Sequence, residues 1–86
     1  MEKEKSCIKY PCEFPLKVMG LNTELFEAEM RKVFETLVTG PITYAKQQSK
    51  NGKYVSITAT FTAVSREQLD ALYRALHGHK LVVMTL

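Results

Sequence analysis

Eighty-six residues, 45% hydrophobic and 24% charged, describe a small globular chain near the lower size limit for folding without staples, and exclude a disordered one. The net charge of +3 is a mild basic bias, and no stretch approaches the roughly 20 apolar residues that cross a bilayer. A core this small has a thin margin, so pairing with a second copy would help it.

In chain order, residues 1–9 read as a flexible tail, since Met1 to Ser6 alternates charges with nothing apolar to bury. No apolar run follows, so no signal peptide is expected and the cytoplasm is the expected compartment. Residues 10–86 read as one domain. Cys7 and Cys12 lack the second pair a structural zinc site needs, and in a reducing compartment they are expected as idle thiols.

Phe14 to Asn22, FPLKVMGLN, is the stretch around which the chain is organised. Period-two alternation puts Phe14, Leu16 and Val18 on one face of a strand and Glu13, Pro15, Lys17 and Met19 on the other. Pro15 has no N–H, so pairing on one side should begin only after it. Gly20 is expected to end the strand. Asn22 or Thr23 then caps a helix over about 23–38, whose stripe is Phe26, Met30, Val33, Phe34 and Leu37. Gly40-Pro41 stops it.

Ile42 to Ser49 reads as a polar edge strand. Lys50-Asn51-Gly52-Lys53 is the strongest turn signal, since Asn-Gly tolerates positive φ at both central positions of the expected type I′ hairpin. Tyr54 to Ala63 alternates cleanly, with Val55, Ile57, Ala59, Phe61 and Ala63 facing one way. Ser65 and Gln68 form a capping box for a second helix carrying Leu69, Leu72, Tyr73 and Leu76. Gly78 suits a left-handed cap, and Leu81 to Leu86 is a last strand. The order β-α-β-β-α-β predicts an α+β ferredoxin-like sandwich, a four-stranded antiparallel sheet with two helices on one face. Right-handed crossovers place the first and third strands at its centre.

No chemistry stands out. Between Thr36 and Ser65 there is no acid, while Lys46, Lys50 and Lys53 lie there: a lysine-guarded hairpin, or a weak anion-binding edge. An RNA-recognition surface would need stacking aromatics on the central strands, and Tyr54 is alone there. His77-Gly78-His79 offers two metal ligands without a third, and no metal is expected. No nucleophile has an evident base, and no glycine-rich phosphate loop exists. An enzyme is therefore not expected, nor a cofactor. Met19 turns to the open face beside Gly20, where exposure would suggest a contact.

Three stretches, YPCEFPLKVMG, SKNGKYVSITATFTA and SREQLDALYRALHGHKLVVMTL, resemble the YbeD-like family of small bacterial proteins. They cover most of the chain from Tyr10 on, while the first helix and the first half of the hairpin match in pattern only. The chain has Gly52-Lys53-Tyr54 where many relatives have Gly-Asn-Tyr. The resemblance implies a ferredoxin-like fold akin to the ACT regulatory domain, and it brings no activity. By analogy with ACT domains it implies side-by-side homodimers and a small-metabolite site near the turn after the first strand. The expected function is a non-enzymatic regulatory or small-molecule-sensing module acting on a partner protein. Its expected ligand residues are Lys17, Met19, Gly20, Leu21 and Asn22. The alternative is a nucleic-acid-binding module using Lys46, Lys50, Lys53 and Tyr54.

Overall fold

The computed structural model describes residues 9–85, so the expected tail, Lys9 apart, lies outside the described residues together with Cys7 and Leu86. The elements are β1 (Cys12–Leu21), α1 (Glu24–Leu37), β2 (Thr43–Gln48), β3 (Tyr54–Ala63), α2 (Arg66–His77) and β4 (Val82–Thr85). The sheet order is β2-β3-β1-β4, with every neighbouring pair antiparallel. This is the expected ferredoxin-like topology, with β1 and β3 central.

The core lies between the sheet and the two helices. Phe14, Leu16 and Val18 of β1 join Val55, Ile57, Ala59, Phe61 and Ala63 of β3. Phe26, Met30 and Phe34 of α1 and Leu69, Leu72 and Leu76 of α2 cover them. Phe61 sits between the rings of Phe14 and Phe34, with centroids 6.2 and 6.3 Å away, a spacing suited to tilted aromatic contacts.

Backbone parity explains why a proline is tolerated in a central strand. The amide of Asn22 donates to the Lys53 carbonyl, and alternation from that pair sends the bonds of the even residues of β1 toward β3. Pro15, an odd residue, therefore turns its nitrogen to the β4 side. There, among the described residues, β4 pairs only with Val18, Met19 and Gly20, so Pro15 takes no ladder bond from them.

Several local expectations are corrected. Gly20 does not end β1: it is a buried strand residue opposite Val55 and Val82, at a register shift in the β1–β4 ladder. A Cβ at Gly20 would collide with the Phe26 ring and lie 2.6 Å from the Leu81 carbonyl oxygen. Its small size thus admits α1 and the approach to β4 rather than a turn. Thr23 is the N-cap of α1, accepting from the Phe26 amide at 3.0 Å. The helix closes at Leu37 with a buried Val38 in extended conformation, before Gly40-Pro41 is reached. Gly78 caps α2 at φ −84°, ψ −3°, not in the left-handed region. Cys12 is disulfide-bonded and not the idle thiol expected.

The hairpin is also built differently. Gly52 alone has positive φ, at 76°, so Asn51 does not enter a type I′ turn. Instead the Gly52 amide donates to the Ser49 carbonyl, closing a β-turn within a four-residue loop. Asn51 Oδ1 accepts from the Lys53 amide and the Ser49 hydroxyl, which holds Asn51 as an Asx-turn residue with ordinary φ.

Candidate functional site

Among the described residues nothing covers the sheet face turned away from the helices. Cross-strand partners share a face, so it carries Glu13, Pro15, Lys17, Met19 and Leu21 of β1 and Tyr54, Ser56, Thr58, Thr60 and Thr62 of β3. The register adds Thr43, Ala45 and Gln47 from β2 and Met84 from β4. Among the described residues its one acid is Glu13, at the far end of β1 from Met19.

Toward the other end lies a groove of about 230 Å³ lined by Lys17, Met19, Gln47, Ser49, Tyr54 and Ser56, with flanks from Gln48 and Val55. Met19 pairs directly with Ser56, and Leu21 with Tyr54. Among the described residues Lys17 has no carboxylate within salt-bridge distance. Lys53 lies with its ammonium 5.6 Å from the Tyr54 ring centroid, which orients that ring at the groove's rim. The result is one cation, one aromatic ring, a thioether and several neutral hydrogen-bonding groups in a shallow depression. Such a set can hold a small anionic or amphipathic molecule; it offers no general base and no nucleophile–base pair.

The five expected ligand residues divide. Lys17 and Met19 line the groove, and Leu21 is exposed beside it. Gly20 faces the helices and is enclosed by Phe26 and Leu81. Asn22 sits in the β1–α1 turn, where its Nδ2 donates to the Gly52 carbonyl at 3.0 Å and its amide to Lys53 at 2.9 Å. Asn22 therefore ties the hairpin to the start of α1. Gln47 and Ser49 escaped attention in the sequence, while Ser56 falls on the open face there by alternation without being singled out as a ligand residue. Their signal was parity, since each falls on the open face once β2 is registered against β3.

The four residues of the nucleic-acid alternative also divide. Lys50, Lys53 and Tyr54 gather at the hairpin end. Lys46 pairs with Ile57 and so stands on the helix face, where its ammonium donates to Glu27 of α1 at 3.0 Å. Arg31 donates to the same carboxylate at 3.4 Å. The Lys46 hydrogen bond is the main reason the Glu27 carboxyl sits below its ordinary range, the Arg31 charge adding to it. The Arg31 guanidinium also lies 4.6 Å over the Tyr44 ring. Burial, helped by the nearby Glu35 charge, pushes the Tyr44 hydroxyl's pKa up, and this buried hydroxyl has no hydrogen-bond partner. Glu27, Arg31, Tyr44, Lys46 and Ile57 line a second groove of about 260 Å³.

His79 Nε2 approaches Glu29 at 3.5 Å, while its Nδ1 accepts from the Leu81 amide. That bond fixes the imidazole as a structural clasp at the end of α2. Among the described residues no three His, Cys, Asp or Glu side chains gather where a metal ion could sit. No described helix is long and apolar enough to cross a membrane.

Residues 5–86 match the model of a family described as "Protein of unknown function (DUF493)". The UPF0250 protein of Nitrosomonas europaea is 42% identical over 85 residues, covering 96% of this chain and 98% of the relative. A UPF0250 protein of Bordetella pertussis is 45% identical over 85 residues, with coverage of 96% and 93%. The solution structure of HP0495 from Helicobacter pylori superposes with a TM-score of 0.77 at 22% identity, covering 99% of this chain and 91% of that one. That likeness shows the shared fold.

Proposed function

The chain belongs to the DUF493 family of proteins of unknown function, and on that premise we propose a non-enzymatic, cytoplasmic regulatory module that senses a small anionic molecule. The molecule lies in the open-face groove, and its occupancy is relayed to a partner protein. The observation that carries this reading is Lys17, a cation without an acidic partner among the described residues, set beside Met19, Tyr54, Gln47 and Ser56. A carboxylate or phosphate would accept from Lys17 while an apolar body lies against Met19 and the Tyr54 ring. Gly20 and Asn22 contribute by setting the strand and turn in place, and Leu21 by walling the rim.

The same reading includes a homodimer. At the β4 edge Val83 and Met84 are 59% and 48% exposed, and a second copy laid against this edge would cover both.

A thermal-shift screen of small carboxylates and phosphates, followed by amide-shift titration, tests the ligand. A ligand is expected to raise the melting temperature and to move the amides of Lys17, Met19, Gln47 and Ser56. Lys17→Ala should weaken its binding about tenfold, the equivalent of one charge-assisted hydrogen bond. No saturable shift at those amides with any compound up to about 10 mM, a weak limit on the affinity scale, would overturn the reading. Salt-sensitive binding of RNA that is lost when Lys50 and Lys53 are neutralised would instead favour the nucleic-acid alternative.

A further inference from the structure

We propose that the free edge of β2 is a docking strand for an extended, acidic segment of a partner protein. Among the described residues β2 stands at the sheet margin and pairs only with β3. The Ser49 amide donates to the Tyr54 carbonyl at 2.8 Å, which marks Ser49–Tyr54 as a hydrogen-bonded pair. Alternation along the register then gives Gln47, Ala45 and Thr43 bonds to β3. It leaves the amides and carbonyls of Gln48, Lys46 and Tyr44 directed outward. Those three residues present a ready ladder for an added strand.

The side chains of the same residues lie on the helix face, opposite Val55, Ile57 and Ala59. An incoming residue bonded to Tyr44 or Lys46 would therefore send its own side chain over the groove formed with α1. That groove is lined by Arg31 and Lys46 with one carboxylate, Glu27, and the Glu35 charge lies near its Tyr44 wall. Arg31 is held in place by the Tyr44 ring and by Glu27, so its remaining N–H groups are pre-set for a second carboxylate. From Thr36 to Arg66 the chain carries no acid, while Lys46, Lys50 and Lys53 follow one another along the edge and hairpin. A second copy paired on this edge would set lysines against lysines. A polyphosphate would satisfy the lysines and leave the outward amides unmet. An extended segment with acidic residues at alternate positions satisfies both the ladder and the charge.

This surface lies on the opposite side of the sheet from Lys17, so the two proposals fail independently. The test uses the full chain, isotopically labelled, titrated at low salt with an end-capped octapeptide of alternating Glu and Thr. The amides of Tyr44, Lys46 and Gln48 are expected to shift and to exchange more slowly with solvent. Arg31→Ala should weaken binding about tenfold, as should Gln48→Pro, which removes one outward donor and leaves the β2–β3 ladder intact. A peptide of alternating Lys and Thr should not bind. The proposal is overturned by unchanged exchange at the three amides, or by a Gln48→Pro variant of undiminished affinity. It is equally overturned if polyuridylate produces the same shifts at lower concentration, or if the amides become protected on concentrating the protein alone.

Discussion

Gly20 and Gly78 look alike in the sequence, each a single glycine at the expected end of an element, yet a methyl group would meet very different surroundings at the two positions. At Gly20 it would run into the Phe26 ring and the Leu81 carbonyl, so α1 or β4 would have to move. Gly20→Ala is expected to cost about 2–3 kcal/mol, the range of overpacking in a tight core. At Gly78 the nearest atom is the Arg74 carbonyl oxygen at 3.5 Å, and φ is −84°, which alanine adopts freely. Gly78→Ala should raise stability by roughly 0.5 kcal/mol through the unfolded chain. Urea denaturation of the two variants beside the parent protein checks both signs. The sequence marked Gly20 as special and misjudged why, because its constraint comes from residues six and sixty-one positions away (26 − 20 and 81 − 20).

At the scale of elements, Gln68 joins three segments. Its backbone amide donates to Ser65 Oγ at 3.1 Å, as a capping box requires. Its Oε1 accepts from Val64 at 2.8 Å, one residue before the expected Ser65 amide. Its Nε2 donates to the Leu37 carbonyl at the end of α1, at 3.0 Å. Both helix ends are thus satisfied through one amide group. Gln68→Ala should therefore cost about 2 kcal/mol, nearly twice the loss from Ser65→Ala, a single-bond cap. Thermal unfolding of the pair measures the difference, and equal losses would show that the Leu37 link is idle. The capping motif was legible because it is local. The Leu37 link was not, since nothing in the pattern says that two helix ends meet. The hairpin repeats the lesson: Asn51-Gly52 announced a turn, while its type was decided by Ser49 and Asn51 bonding within the loop.

For the whole molecule, topology was readable because apolar alternation in Phe14–Val18 and Val55–Ala63 demands a sheet buried on one side, and the two helical stripes supply its cover. The same period placed Lys17 and Met19 on the open face. It also held the information that Lys46 shares a face with Tyr44, which reading the lysines as one cluster concealed. The homodimer belongs to this scale as well. Sedimentation at about millimolar concentration, where weak association is populated, is expected to give twice the 9.8 kDa chain mass, and Val83→Lys should return it to one. A monomer throughout would remove pairing from the proposed function.

The two bonds by which Asn22 holds the hairpin also bear on how the chain finds its fold. The strands β2 and β3 can zip locally, but β1 must meet β3 across 33 residues at Leu21–Tyr54 and 51 at Cys12–Ala63 (54 − 21 and 63 − 12). Closing the shorter loop first costs less chain entropy. Asn22 stands at that nearer end, so its two bonds secure the β1–β3 contact whose closure costs the least chain entropy, and they latch the register of the whole central ladder.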